Sequence, residues 1–371
     1  MNKNKDLKDV ALLFFKLGSI AFGGPAAHIA MMEDEVVKKR KWMTHQHFLD
    51  LVGATNLIPG PNSTEMTMHC GHERAGWKGL IVAGVCFVFP AVAITMVFAW
   101  LYQEYGQLPK VEPFIYGIKP AVIAIILGAV YRLGIKALKN VELGILGALT
   151  LIACLLGLHE ILALFACGLV GLVWHFIRNS KNSLSSFTPF ILLQVLTSVS
   201  SLKIFWIFLK IGALLYGSGY VVFAFLDAEL VTTGLLSRQQ LIDAVAVGQF
   251  TPGPVLSTAT FIGWQLNGFW GAITATVGIF LPSFIFVAIL NPLIPKMRKS
   301  KTIAAFLDAI NIAAVAVIVA VGVEMGKDTL TDWRTILIAI LSIIAVFVFK
   351  KMNSAFIVIG GALSGYLLTL I

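Results

Sequence analysis

The chain has 371 residues, of which 58% are hydrophobic and 13% charged, with a mean hydropathy of +0.88. Too few polar residues remain to cover a soluble globule, so the composition is that of an all-α polytopic membrane protein with the lipid bilayer as its solvent. The formal net charge of +9 would suggest nucleic acid in a soluble domain, but here the basic residues cluster between apolar runs and report topology, so no nucleic-acid partner is expected.

In chain order, a polar start with Lys3, Lys5 and Lys8 leads into an apolar run over residues 10–32, interrupted at Gly23-Gly24-Pro25. A basic start before an apolar run imitates a signal peptide, with Ser19-Ile20-Ala21 as a cleavage-like site. The same run recurs at residues 209–219, which argues that it belongs to the fold; the N-terminus is expected on the cytoplasmic side. The mixed charges Glu33, Glu35, Lys38, Lys39, Arg40 and Lys41 read as a solvated cytoplasmic face. Next comes Asn56-Leu57-Ile58-Pro59-Gly60-Pro61-Asn62-Ser63-Thr64. Prolines lack an N–H and clash one turn back, so Pro59-Gly60-Pro61 ends any helix before it, while proline and the polar caps Asn62, Ser63 and Thr64 favour a new helix start. Such a start is an anion site, and at membrane depth irregular backbone survives where it lines a cavity; the competing reading is a tight surface loop.

Apolar runs of crossing length follow at residues 77–100, 113–138, 143–158 and 161–177, and again at 269–290, 303–325, 335–349 and 355–371. Residues 187–199 between the two sets can supply one further crossing. The second set is preceded by its own breaks, Gly217-Ser218-Gly219 and Gln249-Phe250-Thr251-Pro252-Gly253-Pro254, the latter followed by Val255, Leu256, Ser257 and Thr258. Phe15-Lys16-Leu17-Gly18 matches Leu209-Lys210-Ile211-Gly212, Phe48-Leu49-Asp50 matches Leu241-Ile242-Asp243, Pro90 matches Pro282, and Phe114 and Ala121 match Phe306 and Ala313. The chain is therefore two homologous membrane repeats, residues 1–178 and 203–371, joined by a linker or crossing segment at 179–202. Equivalent loops carry opposite charge: Arg132, Lys136 and Lys139 stand against Glu324, Lys327, Asp328 and Asp332. Cytoplasmic loops collect Lys and Arg, so the repeats are expected in inverted topology. Roughly ten to thirteen membrane segments are expected, some proline-broken or re-entrant.

These residues carry a resemblance. Residues 22–30, 33–42, 56–65, 216–220, 248–254 and 278–284 are similar to the signatures of the chromate transporter family in its long, two-half form. The resemblance covers nearly the whole chain. It implies an integral plasma-membrane protein that moves chromate outward, with sulfate as the physiological look-alike.

Polar side chains inside apolar runs are costly and are functional candidates. Lys16 and Lys210 occupy equivalent positions, and Lys119 lies beside Pro120; each is a candidate charge for a dianion, against snorkelling to the interface. His28 follows the first break and is a candidate donor, or a packed histidine whose counterpart is Val222. Glu65 is a helix cap or a coupling group. The candidate substrate-binding set is therefore Gly23, Gly24, Pro25, His28, Pro59, Gly60, Pro61, Asn62, Ser63 and Thr64 in the first repeat. In the second it is Gly217, Ser218, Gly219, Gln249, Thr251, Pro252, Gly253, Pro254, Ser257 and Thr258, with Lys16, Lys210 and Lys119 beside them. A membrane metal enzyme is the rival class. His72-Glu73 begins like a zinc-protease motif but lacks the second histidine one turn on. No metal, cofactor or catalytic residue is expected; the partners are an inorganic oxyanion and lipid, with a homodimer left open.

Overall fold

The computed structural model describes residues 3–22, 24–55, 57–106, 108, 111–178, 200–216, 219–290, 300–349 and 352–370. The first repeat contains α1 (Lys3–Ile20), α2 (Pro25–Glu33) running into a π-helical turn (Asp34–Lys39), α3 (His45–Thr55), α4 (Asn62–Tyr105), α5 (Glu112–Ala137), α6 (Val141–Leu155) and α7 (Glu160–Arg178). The second contains α8 (Ser201–Leu214), α9 (Val221–Leu226) with its π-helical turn (Asp227–Val231), α10 (Arg238–Phe250), α11 (Thr258–Leu290) after a 3₁₀ turn (Val255–Ser257), α12 (Lys301–Thr329), α13 (Trp333–Val348) and α14 (Ser354–Thr369). The described residues contain no strand. Among the described residues four stretches are long and apolar enough to cross a membrane, Asn62–Tyr105, Glu112–Ala137, Val255–Ile289 and Thr302–Thr329. The expected crossing at 187–199 and the breaks' Gly23, Gly217 and Ser218 lie outside the described residues.

α4 and α11 each contain a reversal that the apolar pattern conceals. Helical geometry fails at Ala75 and Gly76, and again at Asn267 and Gly268. Gly76 and Gly268 have φ of 62° and 55°, a region that glycine enters without a Cβ penalty. Past each reversal the chain returns on itself so closely that a Cβ on Gly71 would strike the carbonyl of Gly79, and one on Gly263 that of Gly271. α4 is thus a short arm, residues 62–74, rising about 20 Å at 1.5 Å per residue, and a long arm, residues 77–105.

The short arm is half of a re-entrant hairpin. His47 Nε2, at the start of α3, lies 3.1 Å from Glu73 Oε2 at the end of the short arm, so both legs begin at one surface and the tip is Pro59-Gly60-Pro61. α1 and α2 make a second hairpin, closed by Lys16 Nζ to Glu35 Oε1 at 3.3 Å and anchored by Arg74 to Asp6 at 2.5 Å. In the second repeat the equivalent residues Lys210 and Glu229 close α8 against the π-helical turn after α9. A leg of about 20 Å cannot cross a hydrocarbon layer of about 30 Å, so both tips sit at membrane depth.

The long arm of α4 shows that the repeats are inverted. Near its start Gly79 packs on Gly71, beside the surface where the first repeat's hairpins begin. Near its end Gln103 Oε1 accepts from Trp264 Nε1 at 2.7 Å, and Tyr102 donates to Asp243 Oδ2 at 2.6 Å, beside the reversal of the second repeat. Residues 79 and 103 are about 36 Å apart along a helix. The two repeats therefore root at opposite ends of one long arm and point their tips at each other.

Around this centre α1 packs on α4, α8 on α11 and α4 on α11, while α5 and α12 pair with each other and carry α6, α7, α13 and α14 on their outer faces. The close approaches are again made by glycine: a Cβ on Gly18 would collide with the carbonyl of Phe87, and one on Gly212 with that of Ile279. Phe87, Phe208, Phe223, Phe225 and Phe261 are fully buried between these layers. Trp77, Phe89, Trp270 and Phe356 point outward with more than half their surface exposed, as apolar side chains do when the solvent is lipid.

Candidate functional site at the meeting of two helix breaks

Each proline break is held by the other repeat. The Gly60 amide donates to the Leu215 carbonyl at 2.6 Å, and the Gly253 amide donates to the Ala21 carbonyl at 2.8 Å. Ala21 and Leu215 are equivalent positions, immediately after α1 and α8. Each repeat's break is therefore held by the end of the other repeat's first helix, the reciprocity that a two-fold axis between the tips produces. Proline on either side leaves the glycine amide as the donor each tip offers, and φ of 141° at Gly60 and 93° at Gly253 requires glycine. A Cβ on Gly60 would run into Glu65 Oε1 and Ser283 Oγ; one on Gly253 would come 2.9 Å from Ala91 Cβ and 3.1 Å from the Gly18 carbonyl.

Beyond each break a helix starts without a side-chain cap. Pro61 precedes α4 and Pro254 precedes the 3₁₀ turn; neither start has a side-chain cap hydrogen bond. First-turn amides lack intrahelical acceptors and carry the positive end of the helix dipole. Several side chains gather there with their hydrogen-bonding capacity unspent. Thr64 Oγ1, both Glu65 carboxylate oxygens, Ser257 Oγ, Ser283 Oγ and Gln249 Nε2 are buried and have no hydrogen-bond partner among the described residues. Buried polar atoms are nearly always bonded, and leaving one unbonded costs roughly 1–3 kcal/mol. These unbonded atoms lie at or beside the two uncapped helix starts.

The sequence candidates divide on this geometry. Thr64 and Ser257 are equivalent, and both present free hydroxyls; Ser63 is buried with them. Asn62 is half-buried at the start of α4. Thr258 donates to Val255 O at 2.8 Å and Thr251 to Val247 O at 2.8 Å, so both hydroxyls are spent on their own helices. Gly24, before Pro25, opens α2 at φ 80°, and a Cβ there would lie 3.5 Å from the Tyr220 hydroxyl. Gly219, Pro252 and Pro254 are buried at the second tip, as Pro59 and Pro61 are at the first. His28 is buried, with Nε2 3.1 Å from the Ala21 carbonyl and its ring edge-on to Phe87. It thus braces the carbonyl that receives Gly253.

The three lysines are each matched to a carboxylate. Lys16 is 58% exposed and reaches Glu35; Lys210 is paired with Glu229; Lys119, on α5, lies 3.5 Å from Asp243, which also accepts from Tyr102. His72 stacks edge-on against Trp77, and Glu73 faces His47. Among the described residues no three His, Cys, Asp or Glu side chains converge in a metal-holding group.

Four participants escaped the sequence reading. Ser283, whose counterpart is Ala91, projects from α11 to the first tip. Tyr220, at the second tip, lies beside Gln249 and Arg132. Arg132 is exposed and lies beside no carboxylate among the described residues; its charge was assigned to topology alone. Asp243 was visible as a repeat match and its charge was overlooked.

A family model described as chromate transporter matches residues 8–172 and again residues 202–366. The chain is 31% identical to a chromate transport protein of Cupriavidus metallidurans over 97% of this chain and 92% of that protein. It is 31% identical to a probable chromate transport protein of Synechococcus elongatus over 97% and 95%, and 27% identical to a chromate transport protein of Pseudomonas aeruginosa over 95% and 90%. No solved structure matches the chain. Two repeats, an all-α membrane architecture and full-length similarity to transport proteins agree that this is a membrane transporter and not an enzyme: the chain belongs to the chromate transporter family.

Proposed function

We propose that the chain carries chromate, or a tetrahedral oxyanion of the same shape such as sulfate, outward across the plasma membrane, with the N-terminus in the cytoplasm. The observation that carries this reading is the reciprocal pair Gly60 to Leu215 and Gly253 to Ala21, which seats each uncapped helix start against the other repeat, with the unbonded hydroxyls of Thr64 and Ser283 at the first tip and that of Ser257 at the second. Converging amides and hydroxyls suit a tetrahedral dianion, and each helix start adds about half a positive charge. Gly24, Pro25, Gly219 and the two Pro-Gly-Pro breaks shape the cradle, while Lys16, Lys210 and Lys119 hold its frame through their carboxylates. Arg132, beside Tyr220, supplies the cation that the paired lysines do not. Whether one chain or two form the particle, both tips come from one chain, so a homodimer would contain two such sites.

Direction and driving force follow from charge. An inside-negative potential favours anion exit by about 2.3 kcal/mol per charge per 100 mV. Glu65 sets how many charges leave. A carboxylate about 5 Å from a dianion costs on the order of 3 kcal/mol per pair of unit charges at an effective dielectric of 20. The two therefore share the site when the carboxyl carries a proton, and that proton travels with the anion. Flux of labelled chromate and sulfate in proteoliposomes, under an imposed potassium potential and at several pH values, tests this. The parent should carry about one net negative charge per anion and speed up as pH falls, whereas Glu65→Gln should carry two and lose the pH dependence. An unchanged charge count and pH profile in Glu65→Gln removes Glu65 from coupling; absence of oxyanion flux in the parent removes the substrate reading.

A further inference from the structure

The scaffold treats the two repeats unequally. α12 packs on α9, and α5 packs on α10, so the hairpins of the second repeat are covered: residues 219–230 are buried without exception. Their counterparts α2 and α3 rest on α4 and on each other, have no comparable packing on α5 or α12, and are largely half-exposed. Two repeats of one ancestry related by a two-fold axis would be covered alike if the molecule were symmetric. The second repeat's surface is therefore covered by the scaffold, here called shut, and the first repeat's surface is uncovered, here called open.

The shut surface is sealed by charge. Arg238, opening α10, binds Asp227 of the adjoining π-helical turn at 3.1 Å and reaches across to α12, to Glu324 at 3.4 Å and Asp328 at 3.6 Å. The register that pairs Phe114 with Phe306 pairs Glu324 with Arg132 and Asp328 with Lys136, both on α5. The register of the hairpins pairs Asp227 with Glu33 and Arg238 with His45. His45 Nδ1 does lie 3.2 Å from Glu33 Oε1, so the hairpin half of the cluster is reproduced on the open surface. The scaffold half is not engaged there: neither Arg132 nor Lys136 pairs with a carboxylate among the described residues. Only the scaffold half changes sign between the surfaces: the shut side sets two scaffold carboxylates against the hairpin cation Arg238, whereas the open side carries two scaffold cations, for which the hairpin carboxylate Glu33 is the complementary charge.

We propose that these two clusters are alternating gates. In the opposite end-state α5 and α12 shift so that Arg132 and Lys136 close onto Glu33, and Arg238 lets go of Glu324 and Asp328. Inverted repeats change access by exchanging the conformations of their halves about a fixed site, and complementary charge on both surfaces gives each closed state its own latch. Arg132 then has two partners in the cycle, Tyr220 at the open tip and Glu33 at the closed rim. Lys136, Glu33, Arg238, Glu324 and Asp328 are positioning residues; the anion stays at the tips, where Arg132 meets it.

Cross-linking reads the exchange without reference to substrate. In a chain with its four native cysteines replaced, Arg238→Cys with Glu324→Cys and, separately, Glu33→Cys with Lys136→Cys are treated in proteoliposomes with a short bifunctional thiol reagent. Both pairs should cross-link, each should abolish flux, and reductant should restore it. Charge exchange supplies a second readout: Lys136→Glu should cut flux at least tenfold with anion affinity kept within about threefold, and adding Glu33→Lys should restore most of it. If the Arg238 and Glu324 pair cross-links while the Glu33 and Lys136 pair never does, and the charge exchange fails to rescue, the mirrored state is not visited and the proposal falls. Cross-linking of both pairs in a protein that moves no chromate would leave the gates standing and defeat the substrate reading.

Discussion

The Thr64 hydroxyl gives the most discriminating test of the site, because stability and binding should respond with opposite signs. Thr64 is fully buried and its Oγ1 has no hydrogen-bond partner. Replacing it by valine keeps the shape and removes a hydroxyl whose burial without a partner costs roughly 1–3 kcal/mol, so the apoprotein should melt at the same temperature or higher. If the hydroxyl serves the anion, the same change loses a hydrogen bond to a charged acceptor. Such a bond contributes about 1.5–3 kcal/mol, which is about tenfold to more than a hundredfold in Kd. Ser257→Ala should behave alike, since Ser257 Oγ is also unbonded. Thr258→Val is the control: its hydroxyl is already given to Val255 O, so anion affinity should stay near the parent's. Titration calorimetry with sulfate and chromate in nanodiscs, beside thermal melts without anion, decides it. A Thr64→Val protein with parent affinity and a lowered melting temperature would show the hydroxyl to be structural and refute the reasoning.

Two further predictions concern the frame. Lys119→Met leaves Asp243, with a side chain 6% exposed, facing Tyr102 alone; breaking such a pair costs about 3–5 kcal/mol, and thermal melts should show most of that loss recovered in Lys119→Met with Asp243→Asn. Asp332, between α12 and α13, is held below its ordinary value of 3.8 by the Tyr116 hydroxyl and by backbone amides of its own helix start. A depressed carboxyl stabilises the fold above its unfolded value and loses that effect as pH falls, so Asp332→Asn should melt earlier than the parent at pH 7, with the gap closing below pH 3.8.

The class, the duplication and the positions of the breaks were all legible in the chain itself, for local reasons. Hydropathy reports the solvent, proline and glycine report where helices cannot continue, and Phe15-Lys16-Leu17-Gly18 against Leu209-Lys210-Ile211-Gly212 reports common ancestry whatever the fold. The opposite charges of Arg132 and Glu324, and of Lys136 and Asp328, announced inversion before the long arm of α4 displayed it. What the chain could not disclose depends on contacts between distant segments. The reversal at Ala75 and Gly76 hides within a continuous apolar run, because a helical hairpin inside a membrane needs no polar loop. Lys16, Lys119 and Lys210 looked like unpaired intramembrane charges because Glu35, Asp243 and Glu229 reach them only after the chain has folded back. Ser283 had no signal of its own, being one hydroxyl in an apolar helix until α11 is laid across Gly60. Periodicity and composition determine which segments seek lipid and where they break; only the tertiary structure decides which breaks face each other, because that choice is made by hydrogen bonds such as Gly60 to Leu215, between residues that share no local sequence.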